Sequence, residues 1–244
     1  MAITQAADFL ATWEAGLATA PGGRALLLHR VARPDVGGDS RALLSLPVGE
    51  READLFALRR ALFGDRMQVR LACGACGADM EFELDAGEFA ASLAVRGDSL
   101  VRVAEGGWEV EFRVPGVADL TAAARDADPR RALLARCVVH AVRDGEPAPA
   151  DELPDPVQRR IAEAAEAADP GADVTLNIAC PECGAPTRAE LDIASYLWTE
   201  LDAWARDLLL DVHLLATAYG WSEPEILALS PLRRRYYLEL CADV

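Results

Sequence analysis

Six cysteines punctuate the chain, and four of them stand in a pattern that can do chemistry. Leu71-Ala-Cys73-Gly-Ala-Cys76-Gly77 and Ala179-Cys180-Pro-Glu-Cys183-Gly184 each set two thiols three positions apart and follow the second with glycine. Two such turns offer four thiolates, the donor set that a structural zinc ion takes in a tetrahedron. The 103 residues between Cys76 and Cys180 do not weaken the pairing. Zinc-ribbon knuckles meet in space, and a whole subdomain can sit between them. Cys73, Cys76, Cys180 and Cys183 are therefore the expected ligands of one zinc ion. A closed four-sulfur shell leaves the metal no open position for water, so its expected role is structural rather than catalytic.

The flanking segments must bring these thiols together. Met67-Gln-Val69-Arg-Leu71 and Met80-Glu-Phe82-Glu-Leu84 alternate apolar and polar residues, the period-2 pattern of half-buried strands. Val174-Thr-Leu176-Asn-Ile178 and Thr187-Arg-Ala189-Glu-Leu191 repeat it around the second pair. Gly77 and Gly184 are expected at positive φ, where the chain turns back and backbone N–H groups can face the sulfurs. Pro181 pre-sets the second turn. A redox Cys-x-x-Cys opens a helix that lowers the thiol pKa, whereas here strands follow. Disulfides need an oxidising compartment, and Met1-Ala-Ile-Thr-Gln-Ala-Ala-Asp8 has neither the basic nor the apolar region of a secretory signal. Cys137 and Cys241 lack partners at ligand spacing, and Cys137 reads as a small core residue.

Around the knuckles the chain reads mainly as helix. Residues 5–18 and 21–32 suggest two short helices, with Phe9, Leu10, Trp13 and Leu17 at helical spacing and a break at Pro21-Gly22-Gly23. A loop is expected from Pro34 to Ser40. A helix with Leu55, Leu58, Leu62 and Phe63 on one face then ends at Gly64. Between the knuckles, Leu100–Val103 and Trp108–Val114 make a hairpin across Glu105-Gly106-Gly107. Asp119 is expected to cap a short helix through Ala124. A longer helix is expected from Pro129 to about Val142, then a solvated linker at Glu146–Ala150 and a helix from Asp155 to Ala168. After the second knuckle, an apolar face through Leu197, Leu201, Trp204, Leu208, Val212 and Tyr219 predicts one long helix over 193–219, stopped by Gly220. Ser222-Glu-Pro-Glu225 is a capping-box sequence for a short helix through Leu229, and Ser230-Pro231 starts a last one.

Composition excludes several functions. The net charge of −16 argues against nucleic acid, whose binders need basic surfaces. All 24 basic residues are arginine. No apolar run approaches the ~20 residues of a membrane span, so the chain is expected to be cytoplasmic when made. There is no phosphate-binding glycine loop, no Gly-x-Ser-x-Gly and no His-Glu-x-x-His, so no small-molecule substrate and no enzyme activity are expected. His29, His140 and His213 each read as lying in helical stretches without a partner at motif spacing.

The stretch Leu191–Trp198, Trp204–Leu208, Val212-His213 and Tyr219-Gly-Trp221-Ser-Glu-Pro-Glu-Ile226-Leu-Ala-Leu229-Ser-Pro-Leu-Arg-Arg-Arg-Tyr236 resembles the T4-like phage baseplate (hub assembly) family of contractile tails and contractile injection systems. The resemblance extends through both knuckles to Leu46–Phe63, but leaves residues 92–150 unmatched. It implies a structural or assembly role, other baseplate and tail proteins as partners, and a place in a phage-tail-like particle. A zinc-ribbon nucleic-acid-binding regulator is the alternative, disfavoured by the charge. The expected fold is α+β and mainly helical. It comprises N-terminal helices (1–66), a split zinc ribbon (67–86 and 173–192), an inserted hairpin and helices (87–172) and a C-terminal helical unit (193–244). In that last unit Trp198, Trp221, Arg233, Arg234, Arg235, Tyr236 and Tyr237 are expected to meet a partner, because aromatic residues and arginine anchor interfaces.

Overall fold

The computed structural model describes residues 6–36, 38–92 and 100–242. Residue 5 at the expected start of the first helix, residue 37 in the expected loop, 93–99 of the insertion and 243–244 at the end lie outside the described residues. In chain order the elements begin with α1 (Ala6–Leu17), α2 (Pro21–Ala32), α3 (Ser40–Ser45) and α4 (Val48–Phe63). The first cysteine hairpin, β1 (Arg66–Ala72) and β2 (Asp79–Asp85), leads into α5 (Ala86–Ser92). Next come β3 (Leu100–Glu105), β4 (Trp108–Arg113), α6 (Val117–Ala123), α7 (Pro129–Cys137), β5 (Val138–Arg143), β6 (Glu146–Pro147) and α8 (Asp155–Ala168). The second cysteine hairpin is β7 (Thr175–Ala179) and β8 (Pro186–Glu190), followed by α9 (Ile193–Tyr219), α10 (Glu223–Leu227) and α11 (Pro231–Ala242). The chain mixes helix and strand, with helix prevailing. It divides into two compact units, one of residues His29–Ile193 and one of the segments up to Leu28 and from Ala194 on.

The 29–193 unit is organised around α4 and an antiparallel sheet in the order β3-β4-β5-β6. Gly106 and Gly107, both at positive φ (55° and 81°), make the tight turn between β3 and β4, the backbone twist that a two-residue hairpin needs. Val103, Trp108, Val110, Phe112 and Ala141 face inward against Leu153, Val157 and Ile161 of the α8 side. The expected helix from Pro129 stops at Cys137, and Val138–Arg143 pairs with β4 instead, Val110 opposite Ala141 and Trp108 opposite Arg143. The β-branched residues Val138, Val139 and Val142 favour that outcome once a neighbouring strand is there to pair with. His140 therefore sits on a strand, not in a helix. The expected linker also differs: Glu146-Pro147 adds a short fourth strand. Where the expected Pro34–Ser40 loop ends, Asp39 accepts from the N–H groups of Arg41 and Ala42 and starts α3, a short helix not foreseen from the sequence.

Helix α4 holds this unit together from its ends. Its N-cap position is Pro47, which offers no side-chain cap. The free donors are met from afar: Val48 N–H reaches Pro115 O at 3.3 Å, and Gly49 N–H reaches the Asp169 carboxylate at 3.0 Å. At the other end the buried Arg59 guanidinium donates to Gly64 O (2.7 Å) and Arg66 O (2.6 Å), fixing the entry into β1. Its buried face includes Leu55, Phe56 and Leu58; Leu62 and Phe63 are half-exposed.

Asp119, the third residue of α6, caps the helix as expected through a capping box with the N-cap Gly116, and it also does more. Its buried carboxylate accepts from Gly116 N (3.1 Å), both terminal nitrogens of Arg113 (2.5 and 2.8 Å) and Arg136 Nε (3.1 Å). The Arg113 hydrogen bond, opposed by burial, holds its pKa below the usual carboxylate range. A depressed carboxylate stabilises the fold above its unfolded pKa and loses that contribution as pH falls through the lower folded value. Asp119→Asn is expected to remove about 3 kcal/mol at neutral pH, or roughly 6–12 °C of melting temperature. The loss should shrink when wild type and variant are both melted in strong acid. Equal melting curves at pH 7 would refute this role.

In the other unit the long helix α9 runs from 193 to 219 as its pattern predicts, and Gly220 ends it at φ 68°. Leu197, Leu201, Ala205, Leu208 and Leu215 are buried along it. Against it lies α1, whose Phe9 meets Trp204 edge-on at 6.1 Å and whose Trp13 donates to Asp202 at 2.8 Å. Among the described residues no helix is long and apolar enough to cross a membrane.

Candidate metal centre

The two cysteine turns are built alike. In each, the first cysteine's N–H donates to the carbonyl two residues past the second (Cys73 to Ala78, Cys180 to Ala185, both 2.9 Å). In each, the glycine N–H returns to the first cysteine's carbonyl (Gly77 at 2.9 Å, Gly184 at 2.8 Å). Both glycines stand at φ 73°, which a side chain would strain. Ala75 N–H points at Cys73 Sγ at 3.4 Å, the backbone-to-sulfur geometry the glycine turn allows. The strands behind them are in register, with Leu71 opposite Met80 and Ile178 opposite Thr187.

The turns meet head to head. Cys73 and Cys180 are buried, Cys76 and Cys183 exposed, and each buried sulfur lies against the exposed sulfur of the other turn: Cys73 to Cys183 at 3.7 Å, Cys76 to Cys180 at 3.8 Å. All four sulfurs lie within 4.8 Å of one another. These separations are far beyond a ~2.05 Å disulfide bond. They fit a tetrahedron instead: corners ~2.3 Å from a central zinc stand about 3.8 Å apart. The donor set therefore fits a zinc ion, which these four residues would hold.

Electrostatics inside the cluster point the same way. The N–H groups of Cys76 and Ala75 pull the Cys73 thiol down to about 6. At Cys76 the Ala78 N–H favours the thiolate, but the Cys183 and Cys73 sulfurs outweigh it and push its pKa up to about 12. One thiolate forms easily and the next is opposed by its neighbours; a divalent cation removes that opposition. The packing around the sulfurs is slight: Cys73, Met80 and Cys180 form the buried cluster, with Leu71, Ala78 and Ala185 beside it. Thr187 Oγ reaches Cys73 Sγ at 3.8 Å. Two-stranded hairpins with so small a shared core are marginal by themselves.

Of the other cysteines, Cys137 is buried away from the cluster and burial raises its thiol to about 11, as befits an inert core residue. His29 is buried in α2 and faces Asp54 Oδ2 at 3.1 Å, a pairing that no motif spacing announces.

The seven residues expected to meet a partner divide by environment. Trp198 is half-buried, its ring against Gly16 and under the Arg24 guanidinium at 4.7 Å. Trp221 stacks on Tyr219 at 4.6 Å and meets Tyr237 edge-on at 4.9 Å. Arg234, expected at the surface, is 8% exposed and donates to Asp211 at 3.0 Å. It ties α11 to α9. Arg233, Arg235 and Tyr236 remain exposed.

The chain mixes helix and strand and brings four thiols together in a cluster that could bind a metal ion. Residues 34–195 match the family described as T4 bacteriophage base plate protein, and the chain belongs to that family. The match includes all four cysteines and the 92–150 stretch that the resemblance left unassigned. It ends before the Tyr219–Tyr236 block on which that resemblance largely rested. No curated protein and no solved structure matches the chain.

Proposed function

We propose that this chain is a zinc-stabilised structural or assembly component of the baseplate or hub of a contractile phage tail or phage-tail-like injection system, without enzymatic activity. The observation that carries the reading is the family match over residues 34–195, which contains the four clustered sulfurs. In this reading 67–86 and 173–192 form a split zinc ribbon around one structural zinc ion, and 87–172 is its insertion. Residues 1–66 and 193–244 are the flanking helical segments. The metal holds the two hairpins together, and the rest of the surface serves contacts with other tail proteins.

The test is genetic and biochemical at once. Cells in which the gene is deleted are expected to yield sheath and tube proteins but no complete tails, and a plasmid copy should restore them. Mass spectrometry of the restored particles then separates a resident part from an assembly factor, since both belong to the reading. Normal tail yield from the deletion strain would overturn it.

A further inference from the structure

Helix α11 packs on its own unit with one face and leaves an apolar stripe on the opposite one. The packed face meets its unit through Arg234 to Asp211 and Tyr237 to Tyr219 and Trp221. The other carries Leu232, Tyr236 and Leu240, exposed by 65%, 61% and 58%. Steps of four residues put these three side chains in one stripe along the helix. Isolated exposed leucines need no explanation, but a contiguous stripe on the outer face of a short helix marks a contact surface.

The stripe is self-complementary. Tyr236 is its midpoint, and leucine stands four residues away on either side. On one flank of the stripe lie Arg235 and Glu239, already paired along the helix at 3.0 Å. If a second copy of the helix lies antiparallel, with a two-fold axis at Tyr236, Leu232 of each copy meets Leu240 of the other and the two tyrosine rings stack. With a rise of ~1.5 Å per residue, Arg235 of each copy then falls within about a turn of Glu239 of the other on the same flank. Sign alternates where two copies meet. In a chain of net charge −16, a patch that brings its own counter-charges is what like-charged subunits need in order to touch.

We infer that the Leu232-Tyr236-Leu240 face of α11 is a homodimer surface, in which a second copy of this chain binds antiparallel about Tyr236. The inference rests on α11 alone and holds whether or not the baseplate reading does. The contact is small, so dissociation on the order of micromolar is expected.

Analytical ultracentrifugation of the full chain tests it, from about 1 µM to a few hundred micromolar. Wild type should pass from monomer to dimer. Tyr236→Glu, at an exposed position, should stay monomeric with an unchanged melting curve. Arg235→Glu and Glu239→Arg should each weaken association at least about tenfold, and the two together should restore it, because the double swap rebuilds both the intrahelical and the intermolecular pairs. A wild type that stays monomeric throughout, or is covered there only by a different tail protein, overturns the inference. So does a dimer indifferent to Tyr236→Glu, or a double swap that fails to rescue.

Discussion

Cys180→Ser is expected to lower the melting temperature by at least ~10 °C and to bring zinc below about half an equivalent per chain. A serine oxygen is a poorer zinc donor than a thiolate, and three sulfurs leave the tetrahedron open. Cys180 is also 2% exposed beside Cys73 and Met80, so the hydroxyl would enter an apolar patch without its metal. Zinc binding at such sites is itself folding free energy, ~10–16 kcal/mol in isolated finger peptides. Here the remaining core of the unit sustains part of the fold, so the expected loss is smaller. Cys241→Ala, outside the cluster, should leave zinc content unchanged. Thermal melts of metal-loaded protein decide it: a Cys180→Ser variant that melts with wild type would mean no metal holds these hairpins.

The second large effect is expected at Gly49. A Cβ built there would lie 1.9 Å from Asp169 Oδ1, 2.9 Å from its Cγ and 3.1 Å from the backbone carbon of Gly171. Asp169, whose carboxylate accepts from the Gly49 N–H at that end of α4, cannot retreat without giving up this bond. Its other oxygen is buried with no hydrogen-bond partner, so the carboxylate has no second anchor to turn to. Overpacking and loss of a helix cap together cost about 3 kcal/mol, or roughly 6–12 °C. Gly22→Ala, in α2 with nothing within 4 Å of the added carbon, should be neutral or slightly stabilising. Gly49→Ala combined with Asp169→Ala should cost little more than Asp169→Ala alone, since both act on one contact. Additive losses would place the clash elsewhere.

What the sequence made legible follows from how local each signal was. The four strands of the cysteine hairpins alternate with period 2, and glycine marks each turn, so their place could be read directly. Helix α9 could be read to its last residue because a continuous apolar face ends at a glycine. Strand β5 could not: Leu133–Val142 is apolar enough for either state, and only pairing with β4 decides it. The cap on α4 comes from Asp169, 120 positions away, beyond any window of sequence reading. Arg234 looked like its neighbours Arg233 and Arg235, and only the nearness of Asp211 sets it apart. The Tyr219–Tyr236 block led to the family that residues 34–195 match, although it lies outside that match.

X-ray absorption at the zinc edge, on protein purified under reducing conditions from zinc-supplied cells, tests the centre most directly. The expected result is one zinc per chain, with four sulfur neighbours at ~2.3 Å and no lighter donor in the shell. A zinc-free protein, or a shell in which nitrogen or oxygen replaces any of the four sulfurs, would contradict it.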